Sequence, residues 1–257
     1  MTKVHLWTRN LRMSRDGERD GGARPRTLLL MGPELASLII AALEHGQYVV
    51  RIASTAPIAA SVLAEWTPHL LIADLDNYGK LLDVAGRGTL QDQRPILALT
   101  RKRDTSVKLA AFERGIDDII EVPFTLDQIV GRAYALMRRA HHIQVPIVPR
   151  VKLDSLEVDL LEQRVLIRDG RRLSLSALQQ MLLYLLAANA GKVMTRDAIL
   201  ATIWGSEFEA GSNIVDRHIR ELRVALDDDW RAPLYIETVP GEGYRFRSGN
   251  VGEEAPK

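Results

Sequence analysis

Cysteine is absent from the 257 residues. Its absence excludes disulfides, thiolate-held zinc, iron–sulfur clusters and thiol catalysis, and it suits a reducing cytoplasm. No apolar run approaches the ~20 residues a membrane helix needs; Leu35–Leu43 is the nearest candidate and is too short. The first residues are charged rather than apolar, so no secretory signal is expected. An excess of one charge is also missing: 34 Lys and Arg face 33 Asp and Glu. That argues against a polybasic coat but leaves room for a local basic surface. Three enzyme signatures are lacking as well, namely a G-x-x-x-x-G-K-[ST] phosphate loop, an H-E-x-x-H zinc pair and a nucleophile elbow. No catalytic residue, metal site or cofactor is therefore expected. Present instead are 46% apolar residues, enough for a sizeable core, on a length that suits one to two domains.

Charge divides unevenly along the chain. Residues 1–25 carry +3, residues 26–150 +1 and residues 151–257 −3. Residues 10–25 are polar and rich in Gly and Arg with almost no apolar periodicity, so 1–25 reads as a disordered arm, either a solvated tail or a contact to DNA phosphates. Met13 is an alternative start.

From Thr27 short apolar strands alternate with helical segments. Leu28–Met31, Tyr48–Ile52, Leu70–Ala73 (running into Asp74), Ile96–Leu99 (ending at Thr100) and Asp118–Val122 read as strands. Pro33–Leu43, Ile58–Trp66, a segment within Lys80–Gly86, Val107–Arg114 and Leu126–Arg139 read as helices. Five strands alternating with five helices predict a doubly wound parallel sheet over residues 26–140, with helices on both faces. His141–Arg150, with two prolines, reads as a linker; the adjacent His141 and His142 are poorly placed to chelate.

Residues 151–248 have a different pattern, and 249–257 read as a tail. Val151–Ser174 shows short alternating segments and an Asp169-Gly170 turn between Val165–Ile167 and Arg172–Leu173, which signals a hairpin. Three helices follow: Ser176–Ala190, closed by Gly191; one capped by Thr195 and running through Trp204 to Gly205; and Asn213–Leu226, capped by Ser212. Tyr235–Val239 and Tyr244–Arg247 then flank a Pro-Gly-Glu-Gly turn, a second hairpin. Helix, helix, hairpin in this order is the winged variant of the helix-turn-helix, an α+β domain.

On the last helix Val215, Ile219, Leu222 and Leu226 form one stripe and pack inward. The opposite face carries Asn213, Arg217 and Arg220, with Arg223 and His218 further round. Arg pairs bidentately with guanine or sits on phosphates, and Asn reads adenine. An Arg-rich face on the helix preceding a hairpin is what major-groove insertion into double-stranded DNA requires.

Residues 151–248 closely resemble the effector domains of OmpR/PhoB-family response regulators. The likeness rests on Val193–Leu200, Ile203-Trp204-Gly205, Ile214–Arg220 and Tyr235–Phe246, that is, on the Trp-Gly pair, the VDRHIRELR stretch and the GEGYRF ending. The resemblance implies that residues 213–223 enter the major groove and that the wing reaches the minor groove. Pro240 stands where the wing turn is usually basic; Arg245 or Arg247 is the substitute open for that contact, and facing solvent is the alternative for both. Thr238 and Tyr244 match phosphate-contacting positions; packing of the hairpin is the other role open to them. Glu221 stands where a second Arg is common, and it faces away or pairs with Arg217 four residues earlier. The resemblance also implies that Trp204–Gly211, with Glu207 and Glu209, meets RNA polymerase; a polar loop over a buried Trp204 is the alternative.

Residues 26–140 resemble the receiver domain of the same family through Pro68–Leu75, Ile96–Thr100 and Gly115–Phe124. Receiver chemistry, as the resemblance implies it, is attack of an Asp carboxylate on a phosphoryl group, with magnesium neutralising the two anions. Asp74 falls at the phosphoacceptor position and Thr100 at the hydroxyl position. The acidic pair falls on Leu30 and Met31, which offer no oxygen to a hard cation. The Lys position is Val122 and the aromatic switch position Ile119. Asp76 and Asp104 are stray carboxylates that do not lie at the right strand end. These departures predict a degenerate site without metal, in which Asp74 is a structural or capping acid.

The expectation is therefore a sequence-specific, DNA-binding transcription regulator that works without phosphorylation. Asp118 and Arg132 match a partner pair of the family's dimer surface, which implies a homodimer, although Ala110 and Tyr134 stand where charges are common. The alternatives are a regulator switched by phospho-Asp74 and an architectural nucleoid protein with little sequence preference.

Overall fold

The structure is a computed structural model that describes residues 24–44, 47–86, 94–143, 145, 149–167, 170–208 and 213–248. Residues 1–23 of the expected arm, the tail from 249, the Ser212 cap, Asp169 and Glu209 lie outside the described residues.

Five parallel strands form the first sheet in the order β2-β1-β3-β4-β5: β1 Arg26–Leu30, β2 Val49–Ala53, β3 Leu70–Asp74, β4 Ile96–Thr100 and β5 Asp118–Glu121. Strands β3 and β4 are buried along their whole length, as expected of central strands covered on both faces. Helices α1 (Pro33–Glu44) and α6 (Leu126–His141) cover one face through Leu35, Leu38, Ile39, Ile129, Ala133 and Leu136. Helices α2 (Ala56–Glu65), α4 (Leu81–Ala85) and α5 (Thr105–Glu113) cover the other, over Leu28, Leu30 and Leu71.

The helix expected within Lys80–Gly86 is α4, and a further short helix that was not anticipated, α3 (Leu75–Tyr78), precedes it. The reason is local: the Asp74 carboxylate caps α3 by accepting from the Asn77 amide at 3.5 Å. Helix α6 continues past Arg139 to His141, with Arg138, Arg139 and His141 in the last turn where positive charge meets the negative helix end. His141 thus belongs to the helix rather than the linker, and its Nε2 lies 2.8 Å from the carbonyl oxygen of His69.

The second half opens with an antiparallel sheet, β6 (Arg150–Leu153), β7 (Leu156–Asp159), β8 (Arg164–Leu166) and β9 (Arg172–Leu173). Helix α7 (Ala177–Ala188) starts on a Ser176–Gln179 capping box and ends at Asn189, two residues before Gly191, which has φ +80°. Strand β10 (Val193–Thr195), not anticipated, leads into α8 (Arg196–Ile203), which Thr195 caps through the Ala198 amide. Helix α9 (Ile214–Leu226) precedes β11 (Ile236–Val239) and β12 (Gly243–Phe246), and β12 pairs with both β10 and β11. This is the winged helix-turn-helix.

Helices α1 and α7 are apolar on more than one side. Leu182, Leu183, Leu185 and Leu186 of α7 are all fully buried, and so are Ala36 and Leu38 of α1. A helix with no polar face must be covered all round. The two helices supply that cover by packing on each other, and one apolar core runs through both halves of the chain. Asn189 Nδ2 adds a polar tie to the Glu34 carbonyl at 3.0 Å.

Candidate functional site

On α9 the predicted stripe holds: Val215, Ile219, Leu222 and Leu226 are buried. Its outward residues Asn213, Arg217 and Arg220 are exposed together on one surface. Arg217 Nε lies 3.8 Å from Glu221 Oε1, an exposed i,i+4 pair, and its Nη2 lies 3.3 Å from His218 Nε2. Glu221 also accepts from His218 Nδ1 at 3.0 Å.

The other proposed reading residues are engaged elsewhere. The His218 side chain is 13% exposed, and its ring stacks on Trp204 with centroids 5.5 Å apart. Arg223 Nη2 donates to the Ile236 carbonyl at 2.6 Å and to Thr238 Oγ1 at 2.8 Å, so it braces the reading helix against the wing. Tyr244 is 4% exposed, and its hydroxyl donates to Asp216 Oδ1 at 2.6 Å. For Thr238 and Tyr244 the geometry is that of hairpin packing. Arg245 pairs with Glu237 at 2.8 Å and Arg247 donates to the Pro233 carbonyl at 2.6 Å, so neither lies free beside Pro240.

Asp216 is the hub of this brace, because Arg196 Nε donates to the same oxygen at 2.8 Å. Burial alone would raise the Asp216 carboxyl. The hydrogen bonds from Tyr244 and Arg196, with the charge of Arg220 nearby, bring it below the usual carboxylate range. Burial and the bond to Asp216 push the Tyr244 hydroxyl up to about 12. Asp228 is buried and accepts from the amides of Leu234, Tyr235 and Ile236. It fixes the turn from α9 into the wing.

At the other end of the chain, Asp74 lies at the carboxyl end of β3 beside Thr100 at the end of β4, and both are buried. Between them the structure places a residue that the sequence reading passed over. Arg101 Nη1 sits 2.6 Å from Asp74 Oδ1, and Nη2 sits 3.1 Å from Oδ2, a bidentate ion pair. The two side chains are 5% and 3% exposed. Asp76 joins them after all: it accepts from Arg101 Nη1 at 3.3 Å, from the Arg101 amide at 2.6 Å and from Thr100 Oγ1 at 2.9 Å. Asp104 does not, since it caps α5 through the Ser106 amide. Parallel pairing was the usable signal: Asp74 is in register with Leu99, so a base two residues beyond Leu99 lands at the mouth of the same pocket.

Around the pocket, Leu30, Met31 and Val122 are buried among apolar neighbours. The Tyr78 hydroxyl covers the end of β1, where a Cβ on Gly32 would come within 2.8 Å of it. Burial, followed by the charges of Glu34 and Asp74, raises the Tyr78 hydroxyl. Elsewhere Arg132 Nη1 reaches both oxygens of Asp118, at 2.7 and 2.8 Å, on the outer side of β5 and α6. Beside α9, the loop after α8 stacks Phe208 on Trp204 at 6.4 Å and leaves Glu207 exposed.

Residues 170–246 match the family described as "Transcriptional regulatory protein, C terminal". The transcriptional regulatory protein KdpE of Mycobacterium tuberculosis is 32% identical over 209 residues, which cover 78% of this chain and 89% of KdpE. The chain belongs to the OmpR/PhoB family of response regulators. Response regulator MprA of Mycobacterium tuberculosis is 31% identical over 210 residues, covering 80% of this chain and 89% of MprA. Among solved structures, that of DrrB, a Thermotoga maritima OmpR/PhoB homologue, is 25% identical across 88% of this chain and 99% of that one, with a TM-score of 0.35. As a member of the OmpR/PhoB family, the chain is a DNA-binding transcription regulator of the response-regulator type. No helix among the described residues is long and apolar enough to cross a membrane.

The divalent cation that the OmpR/PhoB family's receiver chemistry calls for does not fit this pocket. Leu30 and Met31 bring no oxygen to it, and the two carboxylates that remain, Asp74 and Asp76, already share a guanidinium. A second cation would meet that charge at contact distance in a water-poor site, where repulsion is poorly screened. Among the described residues no group of three or more His, Cys, Asp or Glu is placed to hold a metal.

Proposed function

We propose that this OmpR/PhoB-family regulator reads specific DNA sequences without being switched by phosphorylation of Asp74. The observation that carries the second half is the Arg101–Asp74 pair. A carboxylate attacks phosphorus through a free lone pair, and each oxygen of Asp74 already accepts two bonds, one from the guanidinium and one from Asn77. With no ligand set to bring a cation, the pocket holds its neutralising charge permanently.

DNA reading falls to α9. Arg217 and Arg220 contact base edges or phosphates in the major groove, Asn213 lies at the helix entry, and His218, Arg223, Thr238 and Tyr244 hold helix and wing at a fixed angle. The Asp118–Arg132 face, formed by α5, β5 and α6, is the surface of a homodimer, which would present two reading helices to half-sites about one helical turn apart. The loop Trp204–Gly211, with Glu207 and Glu209, is the surface offered to RNA polymerase, as acids facing a basic partner. Such a protein works in the cytoplasm, and its chemistry is binding rather than catalysis.

The test is direct. The full chain is incubated with acetyl phosphate and magnesium and its intact mass measured, and its affinity is then determined for DNA selected from a random-sequence pool. Unchanged mass and unchanged affinity are expected. A phosphoryl adduct lost in Asp74→Asn, together with tighter DNA binding, would establish the phospho-switched reading instead.

A further inference from the structure

Arg101 does more than neutralise Asp74. Its Nε and Nη2 both donate to the backbone carbonyl of Thr202, at 2.9 and 2.5 Å. Thr202 belongs to the last turn of α8, in the DNA-binding half, where helix carbonyls lack intrahelical partners. All of this guanidinium's donor groups thus find acceptors: two carboxylates of the receiver half and one carbonyl of the effector half. A second tie runs beside the first. Asp74 Oδ2 accepts from Asn77 Nδ2 at 3.0 Å, and Asn77 Oδ1 accepts from Ser206 Oγ at 3.0 Å. Gly205, with φ +102°, lies against the arginine stem, and a Cβ there would come within 3.3 Å of Arg101 Cδ. The former phosphoacceptor residues therefore converge on Thr202, Gly205 and Ser206, the end of α8 and the start of the loop after it.

We infer that Arg101 is an interdomain positioning residue: it uses the receiver's carboxylates as counter-charge to hold the end of α8 and the Trp204–Phe208 loop in one place, while the reading face of α9 stays open. The division follows from the geometry. Arg217 and Arg220 on α9 are exposed, whereas the loop rests on the receiver pocket. A planar fork with five N–H groups suits the task, since it binds carboxylates side-on and still has donors for a carbonyl. A lysine has no such fork. The buried position excludes water that would otherwise compete for Thr202. Sequence recognition and presentation of the loop are thus set by different residues. This inference rests on the Arg101–Asp74 pairing proposed above.

The experiment is amide hydrogen exchange on the full chain, comparing wild type with Arg101→Ala, Arg101→Lys and Asn77→Ala. The amides of Trp204 and Gly205, which donate to the Leu200 carbonyl, and of Phe208, which donates to Gly205, are the reporters. Arg101→Ala is expected to speed their exchange at least tenfold beyond any uniform rise that loss of the buried pair brings to β1, β3 and α9, and to change the affinity of the folded protein for pool-selected DNA by less than about threefold. Arg101→Lys should recover only part of the protection. Asn77→Ala, which leaves the buried pair intact, should speed the Phe208 amide more than the others, and it serves as the probe if Arg101→Ala does not fold. Unaltered exchange at these amides in both Arg101→Ala and Asn77→Ala, or an increase spread evenly over the fold, overturns the inference. A phosphoryl adduct on wild-type Asp74 would instead sink the pairing itself, whatever the exchange pattern.

Discussion

Tyr244, from the wing strand β12, donates its hydroxyl to Asp216 of the reading helix at 2.6 Å. Through this bond the orientation of α9 depends on a hairpin 28 residues further along, and Arg196 of α8 closes the triangle on the same carboxylate oxygen. Tyr244→Phe deletes the donor but leaves Arg196 in place. A loss of about 1 kcal/mol of unfolding free energy is expected, seen as a lower urea midpoint at unchanged m-value. An unaltered midpoint would mean that the bond contributes nothing.

The same carboxylate sets a pH dependence. Its folded-state pKa lies below the unfolded one. The stabilisation is therefore present above the unfolded pKa and is lost as pH falls through the folded value. The stability gap between wild type and Asp216→Asn should be largest near neutrality and should close in acid, below the ordinary carboxylate range. Denaturant titrations at a series of pH values measure it; a gap that widens in acid would contradict the assignment.

Three arginines on one helix should behave differently. Arg217→Ala and Arg220→Ala should each weaken specific DNA binding by roughly 1–3 kcal/mol where the residue reads a base, with little change in melting temperature. Arg223→Ala removes the donor to Ile236 and Thr238, so it should lower the melting temperature as well. Operator binding unchanged in both Arg217→Ala and Arg220→Ala would remove α9 from the interface.

Gly243 is required for a steric reason. A Cβ at this position would lie 2.0 Å from the Met194 carbonyl oxygen, across the β10–β12 ladder. Backbone cannot retreat as a side-chain tip can. Gly243→Ala should cost upwards of about 2 kcal/mol and weaken DNA binding through loss of the wing. A variant with wild-type melting and affinity would show that the two strands do not pair as described.

Asp74→Ala should destabilise the fold instead of merely silencing a signal. It strips a buried guanidinium of its main counter-ion, a loss of about 3 kcal/mol, while Asp76 remains. Urea unfolding measures the loss, and the folded fraction should still bind DNA. Full stability would mean that the pair does not form in solution.

Much of this was legible along the chain. Strand and helix periodicities carried the doubly wound sheet to within a few residues, because burial on two faces or one leaves its mark on neighbouring positions. The α9 stripe and its Arg face were equally plain. That Leu30, Met31 and Val122 stand where a receiver site would carry two acids and a lysine was also plain, since side-chain chemistry is visible without coordinates. The division of labour on the arginine face was hidden: Arg217, Arg220 and Arg223 look alike until the wing folds back on the last of them.

The sequence by itself determined most of the elements, the apolar face of α9, and the residue types that stand around Asp74. Only the tertiary structure decided which positive charge meets Asp74 and Asp76. Arg101 lies 27 residues from Asp74 and 101 from Thr202, and no local pattern encodes a meeting over such separations. The same holds for the largely apolar helices α1 and α7, whose composition says that each must be covered but not by what. Local propensity is written in nearest neighbours, whereas a fixed partner is chosen by the packing of the whole chain, and the charge in the receiver pocket is of the second kind.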